Sequence, residues 1–307
     1  MRITSRLPSL TALTPRVGAP LVALSALLAG LSGIACGSAP PAPPPATPTT
    51  SATPPPPPAA PAMQSAPPAE PTAPKSPPPT VTPAIRAAVD AADRSDMDKK
   101  VDGGRHPAET LAFFGIAPGM RVADIGAATG YTTELLARVV GPTGVVYGQN
   151  SKALLSMFAE KPWSLRLAKP VNKNVKRVDR DFDDPLPPDA KDLDAVIDVL
   201  FYHDTFWLKV DRDRMNKAIF ASLKKGGVYG IVDHSGRAGS GSTEVETLHR
   251  IEQKVVKDEI EKAGFKLAAE GDFLRNAEDT RDWNASPTAA AARRGTSDRF
   301  VLKFVKP

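Results

Sequence analysis

The sequence predicts an α/β fold with a mostly parallel sheet and helices on both faces over residues 84–307, and two observations carry this prediction. From residue 84 onward, short apolar runs rich in Val and Ile alternate with longer amphipathic stretches, a pattern typical of strands that alternate with helices. Glycine and proline are frequent before residue 84, whereas after it they stand mainly between the apolar and amphipathic stretches. Because a crossover helix returns the chain to the same edge of a sheet, such strands are expected to be parallel.

Each predicted element has a local signal in the chain. Pro107 stands where one helix begins and Gly115 where it ends, and Gly264 closes the longest amphipathic stretch. The predicted helices cover 85–99, 107–114, 131–140, 152–160, 212–223 and 244–263, and the predicted strands cover 121–125, 144–148, 175–179, 193–200, 228–232, 265–270 and 299–305. The segment 276–297 is long for a loop in a compact domain, which predicts an active-site lid or a mobile connection.

The first 36 residues predict export. Three arginines without any acidic residue precede an apolar, Ala- and Leu-rich run over 17–35, which is the layout of a secretory signal peptide. The only cysteine, Cys36, follows small residues and resembles the lipobox cysteine of bacterial lipoproteins, although Gly33 stands where that pattern usually has leucine. Attachment to the membrane through a lipid on Cys36, an uncleaved N-terminal anchor and ordinary signal cleavage nearby all remain open, and each places the protein in the periplasm or envelope.

Residues 37–83 predict a disordered linker. This tract carries 20 of the 33 prolines together with Ala, Thr and Ser, so it has too few large apolar side chains to bury a core. Much of the formal net charge of +5 belongs to the leader arginines. The remaining basic residues are scattered and no nucleic-acid-binding motif is present, so no nucleic-acid partner is predicted.

The segment DIGAATG at 124–130 directly follows the first predicted strand and is the candidate ligand loop. In open α/β sheets, ligands bind beyond the carboxyl ends of the strands. Small residues there let the backbone approach a ligand, and the following helix directs its N-terminus at it. A dinucleotide fingerprint requires G-x-G-x-x-G and a P-loop requires Gly-Lys-Ser/Thr. The loop has neither pattern, which excludes both classes.

This segment resembles motif I of class I S-adenosylmethionine-dependent methyltransferases, with Ala128 in place of the middle glycine. RHPAE at 105–109, YHD at 202–204 and LHR at 248–250 are similar to a bacterial group of predicted methyltransferases. The resemblance implies a Rossmann-like, seven-stranded sheet with an antiparallel last strand. It also implies S-adenosylmethionine as cofactor, with its amino-acid portion at Asp124 and the loop, its ribose at Asn150 and its adenine at Asp181 and Phe182. The implied cofactor residues are therefore Asp124, Gly126, Ala128, Gly130, Asn150, Asp181 and Phe182.

Candidate catalytic residues follow the fourth and fifth predicted strands. A methyltransferase must hold the acceptor in line with the methyl group and take up a proton if the acceptor carries one. His203, with Tyr202 beside it, is the first candidate base or substrate orienter, and His234 is the second. No metal site is predicted, because no pair of histidines has ligand spacing along the chain.

The sequence leaves the acceptor unidentified, with a small molecule favoured over a protein. The segment 131–138 also resembles isoaspartyl-protein methyltransferases, which would make damaged envelope proteins the acceptor. Export conflicts with a cofactor that is made in the cytosol. The alternative hypothesis is therefore an exported or lipid-anchored protein that binds S-adenosylmethionine or a nucleoside without turnover.

Overall fold

The computed structural model describes residues 78–307. The predicted leader, Cys36 and the linker up to residue 77 lie outside the described residues, so the export, lipidation and linker hypotheses stay predictions. Within the described part of the chain, no helix combines the length and apolarity that crossing a membrane requires.

Seven strands form one sheet in the order β3-β2-β1-β4-β5-β7-β6. The pairs β1–β2, β1–β4, β2–β3 and β4–β5 are parallel, and β7 runs antiparallel to both of its neighbours. The strands are β1 (Arg121–Ile125), β2 (Val145–Asn150), β3 (Val175–Asp179), β4 (Leu193–Val199), β5 (Leu223–His234), β6 (Lys266–Gly271) and β7 (Arg299–Val305). This order confirms the predicted fold class, including the antiparallel strand at the end of the chain.

Helices cover both faces of the sheet, because its central strands β1, β4 and β5 are largely buried on both sides. One core lies under α1, α3 and α4, and the other packs Trp163, Met215 and Ile260 of α6, α8 and α10 against the opposite face. The α-helices are α1 (Pro83–Val89), α2 (Asp96–Arg105), α3 (Pro107–Phe114), α4 (Tyr131–Val140), α5 (Lys152–Leu154), α6 (Glu160–Leu167), α7 (Asp204–Trp207), α8 (Arg212–Ser222), α9 (Val245–Leu248) and α10 (Gln253–Lys262). A π-helical turn, Leu155–Ala159, joins α5 to α6.

The predicted helix over 85–99 is two helices. Ser95 caps α2 by accepting a hydrogen bond from the Asp98 N–H at 3.2 Å, which favours a new helix start over a continuous one. The Arg94 side chain is buried and donates both to the Val89 carbonyl, at 2.6 Å, and to Asp102. These bonds stabilise the bend between the two helices.

The predicted helix over 244–263 is also wrong as a single helix. His249 ends α9 in the left-handed conformation with φ of 50°, and α10 begins only at Gln253. Between them, Ile251 forms a parallel β-bridge with Ser235, just past the end of β5. The amphipathic pattern continues across this interruption, which is why the sequence does not reveal it.

Candidate functional site

The loop 124–130 connects β1 to α4 in a tight path that the end of β2 holds in place. Asn150 uses both ends of its side-chain amide on Ala128: its Oδ1 accepts from the Ala128 N–H at 2.8 Å, and its Nδ2 donates to the Ala128 carbonyl at 3.2 Å. Gln149 Oε1 accepts from the Gly126 N–H at 3.2 Å. The residue predicted to bind ribose is therefore engaged with the loop itself.

Three loop residues have positive φ, namely Gly126 at 64°, Ala128 at 48° and Gly130 at 81°. A Cβ at Gly126 would lie 2.3 Å from the Phe201 ring, and one at Gly130 would lie 2.4 Å from the Trp163 ring. Glycine is thus required at both positions by aromatic side chains of the protein. Phe182 in turn packs on Phe201, with ring centroids 4.5 Å apart.

Ala128 is the one residue of the loop that combines a positive φ with a Cβ atom. A left-handed residue with a Cβ costs about 1–2 kcal/mol relative to its right-handed form, whereas glycine avoids this cost. We expect Ala128→Gly to raise the free energy of unfolding by about 1 kcal/mol, measured by urea denaturation. The control is Ala137→Gly within the helix α4, which is expected to lower it by a similar amount. Equal effects of the two changes would contradict this account.

Asp124 is buried at the end of β1, with 2% of its surface exposed. Its carboxylate accepts a hydrogen bond from the Thr133 hydroxyl. Burial raises the pKa of Asp124 from 3.8 to about 7, against the opposing effects of Thr133 and of the positive charge on Arg105. The carboxyl is therefore near half-ionised at neutral pH.

A cavity of about 690 Å³ opens beside this loop at the carboxyl ends of the strands. Thr129, Tyr131, Leu200 and His234 line it from the sheet side, and the segment 285–295 forms part of the opposite wall. The segment predicted as a lid thus borders the cavity. None of the seven predicted cofactor residues is in the cavity lining, to which the loop contributes Thr129 and the start of α4 contributes Tyr131.

Among the described residues, three arginines of the cavity wall have no acidic ion-pair partner: Arg294 is exposed, whereas Arg105 is half-buried and Arg299 is buried. Arg105 lies over the Tyr131 ring at 4.5 Å from its centroid. Arg299 is 4% exposed and donates to the Gly104 carbonyl and to Ser297 Oγ. Within residues 78–307, neither guanidinium forms an ion pair with a carboxylate, whereas Arg166 in the same wall is paired with Asp98 and Glu134.

The charge on Arg105 and Arg299 is only partly compensated, because the acidic residues that act on them do so without forming an ion pair. Burial and the neighbouring charge on Arg105 lower the pKa of Arg299 to about 10. Burial lowers the pKa of Arg105 as well, and Arg294 adds to that effect. Because buried cations without partners are costly, this part of the cavity is complementary to an anion.

The structure brings the predicted histidines together. The His203 ring centroid lies 5.6 Å from that of His234 and 5.3 Å from that of His249. The Asp233 carboxylate joins His203 and His234, because it accepts hydrogen bonds from the backbone N–H of His203, at 2.8 Å, and from the backbone N–H of His234, at 2.7 Å. It also lies 2.7 Å from the ring nitrogen Nδ1 of His203. Only His234 lines the cavity, where its Nδ1 is 2.7 Å from Ser297 Oγ.

The pKa values of the two histidines move in opposite directions. Burial opposes the charged form of His203, but Asp233 and Asp204 prevail and raise its pKa well above 6.5. Burial, Arg299 and His203 lower the pKa of His234 well below 6.5. At neutral pH, His234 is therefore a neutral imidazole.

Two predicted site residues lie outside this arrangement. Tyr202 is fully buried, and its hydroxyl donates to Glu259 at 2.8 Å and accepts from Asn216 Nδ2 at 2.9 Å. Asp181 is exposed in the turn after β3, next to the buried Phe182. Sequence analysis missed Arg299, whose only signal is a charged residue at the start of an apolar strand.

One family model matches the first part of the domain. It is described as protein-L-isoaspartate(D-aspartate) O-methyltransferase and matches residues 86–178, which run from α1 to the penultimate residue of β3 and include the loop 124–130. None of the curated proteins compared with the chain matches it.

Solved structures match over much of the chain at low identity. A SAM-dependent methyltransferase from Aquifex aeolicus is 18% identical, with 70% of this chain and 100% of that chain covered and a TM-score of 0.47. An arsenic(III) S-adenosylmethionine methyltransferase from Chlamydomonas reinhardtii is 18% identical, with 75% and 74% covered and a TM-score of 0.45. Fibrillarin from Aeropyrum pernix with bound S-adenosyl-L-methionine is 14% identical, with 62% and 68% covered and a TM-score of 0.40.

The match to a methyltransferase family model and the strand order of the sheet support the same conclusion. Together they confirm the predicted class, an S-adenosylmethionine-dependent methyltransferase with a Rossmann-like fold.

Proposed function

We propose that this methyltransferase transfers its methyl group to an anionic small molecule bound in the cavity at the carboxyl ends of β4 and β5. The observation that carries the proposal is the pair of arginines without acidic partners, Arg105 and Arg299, in the cavity wall. A carboxylate or phosphate on the acceptor supplies the direct ion-pair partner that the protein itself does not.

The cofactor residues fit S-adenosylmethionine at its amino-acid end. Asp124 offers a buried carboxylate to the ammonium group, and the cavity begins at Thr129, within the same loop. At the ribose end, Asn150 would have to release Ala128 to bind the ribose hydroxyls, because both the oxygen and the nitrogen of its side-chain amide are hydrogen-bonded to the Ala128 backbone. Asn150 fits as a residue that shapes the loop, and its predicted contact with the ribose hydroxyls stays a prediction.

The remaining chemistry falls to residues of the cavity. Bound S-adenosylmethionine supplies a methyl group already activated on a sulfonium, so the chain needs to hold the acceptor in line and accept its proton if it has one. Arg105 and Arg299 orient the anionic group of the acceptor. We assign proton uptake to Nε2 of His234, the ring nitrogen that Ser297 does not engage. His203 and Tyr202 do not line the cavity, and Asp233 links the His203 ring to the backbone N–H of His234.

The proposal is tested by supplying the full-length protein with methyl-labelled S-adenosylmethionine and a bacterial extract divided by size and charge. Label is expected in small molecules that an anion-exchange resin retains. An isoaspartyl-bearing protein also presents a carboxylate, so the protein fraction is the second arm of the test. Label found only in proteins, or only in unretained small molecules, would contradict the proposal.

The arginines themselves are tested on the labelled small-molecule fraction. We expect Arg105→Met and Arg299→Met each to reduce kcat/KM about 10- to 100-fold, because charge-assisted hydrogen bonds to the acceptor are lost. The matched control is Arg86→Met, which alters an exposed arginine of α1 and is expected to leave kcat/KM unchanged. Affinity for S-adenosylmethionine, measured by calorimetry, separates loss of the acceptor site from loss of the cofactor site.

A further inference from the structure

Three potential metal ligands converge behind the cavity wall. His203 and Asp204 lie four and five residues after the end of β4, and His249 lies at the break between α9 and α10. One ligand atom from each of these residues lies within 4.8 Å of the other two. Two of them, His203 Nε2 and Asp204 Oδ1, are 3.1 Å apart.

Both histidines have the orientation that metal ligation requires. His203 Nδ1 is 2.7 Å from the buried Asp233 carboxylate, and His249 Nδ1 is 3.3 Å from the Val245 carbonyl. An acceptor at Nδ1 places the proton on that nitrogen and leaves the Nε2 lone pair for a metal, as in carboxylate–histidine–metal arrangements. Asp204 is oriented in the same way, because its Oδ1 accepts from Trp207 Nε1 at 2.8 Å.

The surroundings are rich in negative charge. Asp233 is fully buried and its carboxylate lies 2.7 Å from His203 Nδ1. His203 alone faces both Asp204 and Asp233. A divalent cation between these groups compensates charge that a single imidazole cannot.

The backbone around His249 is fixed. The bridge between Ile251 and Ser235 attaches the α9–α10 break to the end of β5, and the fully buried Arg250 pairs with Asp279 at 2.8 Å. These contacts hold His249 against the end of β4, although it is 46 positions from His203 in the sequence. Rigid supporting elements of this kind are what a preorganised ligand set needs.

We propose that His203 Nε2, His249 Nε2 and Asp204 form a binding site for a divalent transition-metal ion of the zinc type. Two imidazoles and one carboxylate suit Zn²⁺ and Fe²⁺ better than Mg²⁺ or Ca²⁺, which prefer oxygen ligands alone. Three protein ligands leave a fourth position for water, and Asp204, with 21% of its side chain exposed, lies on the solvent side. The site does not depend on the proposed acceptor.

The proposal is tested on the untagged full-length protein, first stripped with a chelator and then titrated with Zn²⁺ against a chromophoric competitor. One ion per chain is expected to bind, and Co²⁺ is expected to show the visible absorption bands of a low-symmetry site. His249→Ala should weaken Zn²⁺ binding at least 100-fold and His249→Asp, which restores a ligand, less. Asp233→Asn should weaken it about 10- to 100-fold through the orientation of His203.

Two controls isolate the site. His106→Asn alters a histidine at the junction of α2 and α3, and Cys36→Ser removes the only thiol; neither is expected to change the Zn²⁺ affinity. Circular dichroism establishes that each variant is folded. Absence of stoichiometric binding, or equal affinity in His249→Ala and His106→Asn, would overturn the proposal. So would ¹⁵N spectra in which His203 keeps protons on both nitrogens after Zn²⁺ is added, because His203 is then only an imidazolium bonded to two carboxylates.

Discussion

Replacement of Arg250 by methionine is expected to lower the free energy of unfolding by about 3–5 kcal/mol, because it leaves Asp279 as a buried charge without its partner. Both side chains of this pair are fully buried, with two guanidinium–carboxylate contacts at 2.8 and 3.2 Å. Arg250 also donates to the carbonyls of Ser235 and Trp283. It therefore joins the end of β5, the α9–α10 break and the segment 276–297. Urea denaturation at pH 7 measures the change.

The matched control for this prediction is an arginine whose ion pair lies at the surface. Arg214 is 61% exposed and lies 3.2 Å from Asp183, so Arg214→Met is expected to change the free energy of unfolding by less than about 1 kcal/mol. The double variant Arg250→Met with Asp279→Leu is expected to recover part of the loss, since it removes the unpaired charge. A loss below 1 kcal/mol in Arg250→Met would show that this pair does not hold the segment.

The strand pattern was predictable because it depends on local composition. β1, β3 and β7 have the predicted bounds, since each carries β-branched residues and lies between turns or loops. The loop after β1 was recognisable for a similar reason. Its small residues are needed in a tight turn, although Phe201 and Trp163, rather than a ligand alone, make glycine necessary there.

The rest of the site depends on contacts between residues far apart in the chain. Nothing near His249 in the sequence indicates that its helix is interrupted, because the interruption is stabilised by Ser235 and Asp279. The grouping of His203, Asp204 and His249 follows from that interruption and has no ligand spacing along the chain. In the same way, Arg299 lines the cavity only because β7 is inserted beside β5.

Asp124→Asn is expected to stabilise the fold at alkaline pH while it weakens the binding of S-adenosylmethionine. The pKa of Asp124 in the folded protein is about 7, above its ordinary value of 3.8. The folded state therefore binds this proton more tightly than the unfolded state, and the free energy of unfolding falls as pH rises from about 4 to 7. A pKa shift of about three units lowers the free energy of unfolding by at most about 4 kcal/mol at pH 8. Asparagine does not ionise, so the Asp124→Asn variant avoids this loss of stability.

The same substitution is expected to weaken cofactor binding although it stabilises the fold. The ammonium group of S-adenosylmethionine loses a charged partner in Asp124→Asn, so its Kd at pH 7 is expected to rise about 100-fold, measured by calorimetry. In the unchanged protein, the affinity is expected to rise about tenfold between pH 5.5 and 7 as the carboxylate ionises. In Asp124→Asn, the affinity is expected to be nearly independent of pH over this range.

Thr133→Val provides the matched control, because it removes the hydroxyl that donates to Asp124 and leaves the carboxylate in place. Loss of that hydrogen bond raises the pKa of Asp124 further, so the rise in affinity is expected to move to higher pH without disappearing. An Asp124→Asn variant that binds S-adenosylmethionine as tightly as the unchanged protein would exclude this carboxylate from the cofactor site. A variant that is less stable at pH 8 and binds weakly would instead make Asp124 a structural residue, whose burial in the β1 terminus is offset by its bond to Thr133.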